Sequence, residues 1–260
     1  MIIDFVPVWL LFFLMVGVVL LSSEIGYRLG QKIWGKSQAE RESPASAISG
    51  SILGLQAFML AFTFGIVSDR YETKKSLVRE ESSAIRTAWH RADFLSEPDR
   101  TASKNLLREY VDRRVTLVAS GDLDAITRSQ GEILTKQRQL WEMAVVNGRA
   151  DMNSDIGALY VESLNEISNL HAKRVGIGMQ ARIPTAIWAV LMSLLILGMI
   201  SLGYYTAIAD SRRSRVSPVL AVAFSLVIAL IAALDHPGGS LMPVSQQPLV
   251  NVKSEMTGPN

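Results

Sequence analysis

"GLQAFMLAFTFGIVSDRYETKKSLVREESSAI", residues 54–85, opens in residues suited to lipid and closes in residues suited to water. The uncharged run around its first half extends from Ser43 to Ser68, and charges recur at almost every turn from Asp69 onward. No proline lies between Pro44 and Pro98, so nothing in the stretch imposes a break on a helix. The pattern predicts one rod that leaves the bilayer and continues into water. From Gly54 to Leu95 it would measure about 60 Å at 1.5 Å per residue.

Three further uncharged runs are long enough to cross a bilayer, which takes about 20 mostly apolar residues. They are Phe5–Leu21, extending as a span to Ile25, then Ile183–Ala209 and Val216–Leu234. Trp9 and Tyr27 stand near the two interfaces of the first, as aromatic belts do. Only Asp4 is charged ahead of it, and its apolar stretch exceeds the core of a cleaved signal, so it reads as a retained span. A hydrophobic fraction of 49% and a mean hydropathy of +0.24 agree with a membrane chain. A net charge of +2 gives no basis for general nucleic-acid binding. The absence of cysteine excludes disulfides, thiolate metal sites and cysteine nucleophiles.

Between Asp69 and Arg182 the chain carries 18 Lys and Arg against 17 Asp and Glu, a water-facing and nearly neutral balance. Apolar residues recur there at helical spacing: Tyr71, Val78, Ile85 and Ala92; Ile126, Ile133 and Leu140; Ile156, Leu159, Ser163, Ile167 and Leu170. Ser96 to Pro98, Gly121-Asp122 and Asn147-Gly148 read as turns. Four amphipathic helices follow, at about 70–95, 99–119, 122–146 and 153–181. The expected fold is all-α: four transmembrane helices, a helical-bundle insert between spans two and three, and span two continuous with the first insert helix. Residues 1–69 hold the first two spans, 70–182 the water-exposed insert, and 183–235 the last two spans. Residues 236–260, with Pro237, Gly238, Gly239, Pro243, Pro248 and Pro259, read as an irregular tail.

Lys and Arg in short loops set orientation. Arg28, Lys32, Lys36 and Arg41 follow span one, and Arg212, Arg213 and Arg215 separate spans three and four; the tails hold only Lys253. This bias places the short loops in the cytoplasm, with both termini and the insert outside. Arg70, Lys74, Lys75 and Arg79, with Lys173, Arg174 and Arg182, flank the insert and oppose the bias. Long domains cross largely regardless of charge, so the short loops carry more weight.

Phe58 and Phe62 are four apart on span two and share a face, with Gly54 and Gly65 beside them; Phe64 lies on another. Around the axis of a symmetric homo-oligomer this face would make an apolar neck that gates by dewetting. The same phenylalanines would equally suit lipid or a neighbouring helix. Gly17, Ser49, Gly50, Gly54, Ala57 and Ala61 suit close helix packing. Arg70, Lys74, Lys75 and Arg79 beyond the neck would attract anions, against Glu80 and Glu81 one turn on. Asp235-His236 reads as a helix stop before Pro237, or as a pore mouth where a histidine senses pH.

His90, His171 and His236 show no metal spacing with a carboxylate. Glu80 and Glu81 with Arg86 could serve as a general acid/base pair, but read as partners in i,i+4 or interhelical ion pairs. There is no phosphate loop, nucleophile elbow or serine–histidine–acid arrangement. No catalytic residue, metal or cofactor is expected, and the chain reads as a non-enzyme.

"AFMLAFTFGIVSDRYETKKSLVREESSAIRTAW" (57–89), "LLREYVDRR" (106–114) and "LDHPGGSLMPVS" (234–245) resemble the bacterial bestrophin-like domain family, membrane proteins largely without a defined function. That family in turn resembles, more distantly, the bestrophins, which are pentameric anion channels with an apolar neck on the second membrane helix. The resemblance implies a multi-pass protein of the bacterial inner membrane and a homo-oligomer in the lipid bilayer, by distant analogy a pentamer, that passes inorganic ions. It places Phe58 and Phe62 at the neck. Gly54 stands where a third bulky neck residue would be expected, Tyr71-Glu72 where paired tryptophans would follow, and the tail has no acidic calcium-binding cluster. Bestrophins keep the insert in the cytoplasm, whereas the charge count puts it in the periplasm.

Two functions compete. One is an oligomeric, channel-like pore with its neck on span two. The other is a membrane-anchored helical sensor or scaffold whose insert binds a ligand or protein partner.

Overall fold

The computed structural model describes residues 6–33, 44–120, 123–209, 217–236 and 241–258. Among them the regular structure is entirely helical: α1 Val8–Ile33, α2 Pro44–Arg91, α3 Asp99–Ser120, α4 Leu123–Ala150, α5 Asp155–Val175, α6 Thr185–Ile208, α7 Ser217–Asp235 and α8 Gln247–Thr257. Four of these are long and apolar enough to cross a membrane: α1, α2, α6 and α7. Lys36, Arg41, Arg212, Arg213 and Arg215, which carried the orientation argument, lie outside the described residues, as do the Gly121-Asp122 turn and Pro237 to Gly239.

Helix α2 runs for 48 residues, about 72 Å at the α-helical rise. Pro44 begins it, at the position where a missing N–H costs nothing. A single 3₁₀ turn, Ala92–Phe94, closes it ahead of Pro98. The chain divides into two compact units, residues 1–69 with 182–236, and residues 70–181 with 237–260.

In the first unit, Val19, Val67, Leu191, Leu195, Ala221, Ile228 and Ile231 are buried among α1, α2, α6 and α7. The tightest approach is between α1 and α6. A Cβ at Gly26 would collide with the Ile200 carbonyl, and one at Gly203 with the Ser23 carbonyl. A Cβ at Gly30 would sit 2.8 Å from the Tyr204 oxygen and 2.7 Å from the Ala207 Cβ. From Gly26 at Ile200 to Gly30 at Tyr204 the contact advances four residues along both helices, so α1 and α6 run the same way. This close approach uses other small residues than most of those the sequence offered for helix packing. A Cβ at Gly17, Gly50 or Gly54 would meet nothing among the described residues within 4 Å, and Ala57 and Ala61 are exposed. Of that set, Ser49 is buried and shares a hydrogen bond with Ser201 (Oγ to Oγ, 2.7 Å).

In the second unit, the insert helices share one core. Leu77, Ile85, Leu107, Tyr110, Ile133, Tyr160, Ile167 and Leu170 are buried within it. Val78, Ala92 and Leu140 also face inward as their spacing predicts, while the side chain of Ile126 lies outside the described set. Ile156 and Leu159 are instead exposed, because the buried face of α5 begins at Tyr160. Asn147-Gly148 is no turn. Helix α4 continues to Ala150, and α5 restarts at Asp155 with Ser154 as its cap, accepting from the Gly157 N–H at 3.0 Å.

The irregular tail is the second correction. Residues 247–257 form α8, whose Leu249, Val252 and Met256 are buried in the insert core. Pro248 falls in the first turn of that helix, where proline is tolerated, so the proline pattern misled. Arg86 grips Glu255 through two bonds of 2.7 and 2.8 Å, Lys253 pairs with Asp112 at 2.9 Å, and Arg108 donates to the Met256 carbonyl at 2.8 Å.

Candidate functional site

The membrane part of α2 has two faces. Ser49, Gln56, Leu60, Thr63 and Val67, at steps of three, four or seven, are buried within the first unit. Thr63 donates to the Met59 carbonyl at 2.7 Å, which satisfies its hydroxyl inside the helix. Opposite them, Ser51, Gly54, Phe58, Phe62, Gly65 and Asp69 follow steps of three and four, and all are exposed. Phe58 and Phe62 are 64% and 56% exposed, so this chain leaves most of both rings uncovered. They stack on each other with centroids 6.4 Å apart and planes 15° apart. A Cβ at Gly54 or Gly65 would also meet nothing among the described residues within 4 Å, so packing against them requires neither glycine. The structure thus brings Phe58, Phe62 and Gly54 onto one uncovered face. Phe64 is the least exposed of the three phenylalanines, at 37%.

The cations beyond Asp69 are partly engaged. Arg70 donates to the Ala181 carbonyl at 3.3 Å. Lys75 bonds both Glu72 oxygens, at 2.9 and 3.1 Å, and sits 5.7 Å from the Tyr71 ring centre. Lys74 also has an interaction. Arg79 is exposed. The Glu72 carboxylate therefore offsets part of the positive field that these residues would give alone.

Asp235 is the last residue of α7 and is buried. Its carboxylate accepts from the Ile183 N–H at 3.1 Å, just ahead of α6, and Arg182 donates to its backbone carbonyl. These contacts tie the entry of span three to the exit of span four. His236, next in the chain, is half-buried.

A polar cluster lies inside the insert. Glu81 of α2 is fully buried; its Oε1 accepts from the Tyr110 hydroxyl at 2.6 Å, and its Oε2 from Arg114 at 3.0 Å and from Arg174. Arg174 also donates to the Gln246 side chain at 3.1 Å. His171, 4% exposed, lies one helical turn before Arg174. Burial would raise the Glu81 pKa, but Arg174, then Arg114 and the Tyr110 hydroxyl, together bring it down to about 2. Burial first, then Arg114, lowers His171 to about 4 against the pull of Glu81, so at neutral pH it is uncharged. The sequence reading offered Glu81 as an ion-pair partner within its helix or between helices; the pairing is between helices, with Arg114 and Arg174, and what the sequence reading missed is the identity of these partners and their burial. The signal was there: Val78, Glu81, Ile85 and Ala88 share one helical register, and Leu107, Tyr110, Val111 and Arg114 share another.

The Bestrophin-like domain matches the chain over residues 11–249, from early in α1 to the first residues of α8. The chain belongs to the bestrophin-like family. No curated protein and no solved structure matches it. The bestrophin-like match takes in all four apolar helices, the insert and the Asp235 segment, and the chain is a membrane protein of that family.

Proposed function

We propose that this bestrophin-like protein is a homo-oligomeric, channel-like pore of the bacterial inner membrane, with α2 lining the axis. The carrying observation is the face of α2 that its own subunit leaves uncovered, two stacked phenylalanines between unobstructed glycines. Lipid would cover such a face without needing Gly54 and Gly65. Copies arranged around an axis use the glycines to leave width on either side of one aromatic ring of side chains. That ring is an apolar neck, which conducts when wetted and closes when dry. A pentamer follows by distant analogy with bestrophins.

Inorganic ions are the permeant species, and the reading assigns the chain no enzymatic role. Arg70, Lys74, Lys75 and Arg79 stand beyond the neck on the same helix, and their pairing with Glu72 and the insert backbone favours weak charge selection over strong. The insert and both termini lie on the periplasmic side, following the excess of Lys and Arg in the short loops. The test is conductance of purified protein in planar bilayers. Currents are expected, and Phe58→Ala or Phe62→Ala should raise them severalfold, since gating by dewetting depends on the bulk of the neck. A silent bilayer, or currents indifferent to both substitutions, would sink the pore.

A scaffold whose insert binds a protein partner has its own support in Phe94, Val146, Met152, Ile156 and Leu159, exposed apolar residues of the insert. A monomeric, non-conducting protein would favour that reading.

A further inference from the structure

The buried cluster of the insert holds more positive charge than its carboxylate can balance. Arg114 and Arg174 are both charged at any ordinary pH, because guanidinium does not deprotonate in proteins. Glu81 supplies one negative charge, and among the described residues it is the carboxylate in ion-pair contact with both arginines, with no second one paired to either. Both Glu81 oxygens are already used, Oε1 by Tyr110 and Oε2 by the two arginines. The other contact to Arg174 is the neutral Gln246 amide. Two buried nitrogens of the cluster have no hydrogen-bond partner among the described residues, Nε of Arg114 and Nδ1 of His171. A net buried charge beside unmade hydrogen bonds is costly, and arginine cannot escape the cost by shedding its proton. A counter-ion relieves both deficits together.

We propose that Arg114, His171 and Arg174, with Glu81 and Tyr110 holding them in place, form a binding site for a small monovalent anion inside the insert. One uncompensated charge sets the valence. The Nε–H of Arg114 and the Nδ1–H tautomer of His171 supply the two donors that the anion accepts from. The site is separate from the exposed α2 face, and it stands or falls independently of the pore.

Thermal unfolding of the full-length, detergent-purified protein tests it, at fixed ionic strength with gluconate replaced stepwise by chloride or by formate. A saturable rise in Tm is expected, in chloride for an inorganic-ion site and in formate for a carboxylate site. Arg174→Gln leaves Glu81 and Arg114 as a neutral pair and should abolish that rise without lowering Tm in gluconate. A network with a purely structural role would instead lose stability in gluconate. His171→Leu removes one donor to a charged ligand and should raise the half-saturating concentration about tenfold or more. Equal Tm in all three salts would overturn the site, as would a rise undiminished in Arg174→Gln. Should Arg174→Gln fail to fold, an unshifted half-saturation in His171→Leu overturns it equally.

Discussion

Glu81 is fully buried, and two guanidinium groups depend on its charge. Glu81→Gln would leave Arg114 and Arg174 facing each other in the interior. The expected loss is about 3–5 kcal/mol of insert stability, measured by chemical unfolding. Tyr110→Phe removes one hydrogen bond to that carboxylate and should cost less, about 1.5–3 kcal/mol. Acid should weaken the insert in two stages. His171 titrates near 4 when folded against an ordinary 6.5, so between those values the unfolded chain takes up a proton that the folded chain refuses. Stability falls as pH drops through that window, by on the order of 2 kcal/mol. Below 4.5 the unfolded Glu81 carboxyl protonates before the folded one, whose pKa is about 2, and the loss continues in the same direction. His171→Leu should flatten the upper window and leave the lower; an unchanged slope between pH 6.5 and 4 would acquit His171. All of these groups were visible in the sequence at core positions of apolar stripes. The burial of the charged ones was hidden by their type, because charge argues for the surface until the partner on another helix is known.

Hydrophobic runs and helical spacing located α1 to α7 well, because a span must be apolar for its full length and an amphipathic helix must repeat. Contacts between helices were less legible. Gly26, Gly30 and Gly203 are ordinary glycines in sequence, and only the packed backbones show that a side chain at Gly26 or Gly203 would strike a carbonyl. Gly203→Leu should separate α1 from α6 and cost about 3 kcal/mol or more, read as a lower melting temperature in detergent. Gly54→Ala, on the open face, should leave that temperature nearly unchanged. The tail was misread because proline density outweighed the apolar spacing of Leu249, Val252 and Met256, which α8 buries.

At the scale of the whole molecule, one chain holds half of the proposed mechanism. Phe58 and Phe62, the proposed neck residues, were legible as a shared face, and the structure leaves that face open. Nothing within a single chain supplies the second wall, since a lumen on an axis is a property of the assembly. The sequence could name the face because helical spacing is local, but copy number depends on curvature between subunits, which no local pattern encodes. The most direct measurement is an image of the detergent-purified oligomer at side-chain resolution. The account predicts a closed ring with Phe58 and Phe62 of every α2 turned to a central axis; a monomer, or a ring with those phenylalanines facing lipid, would contradict it.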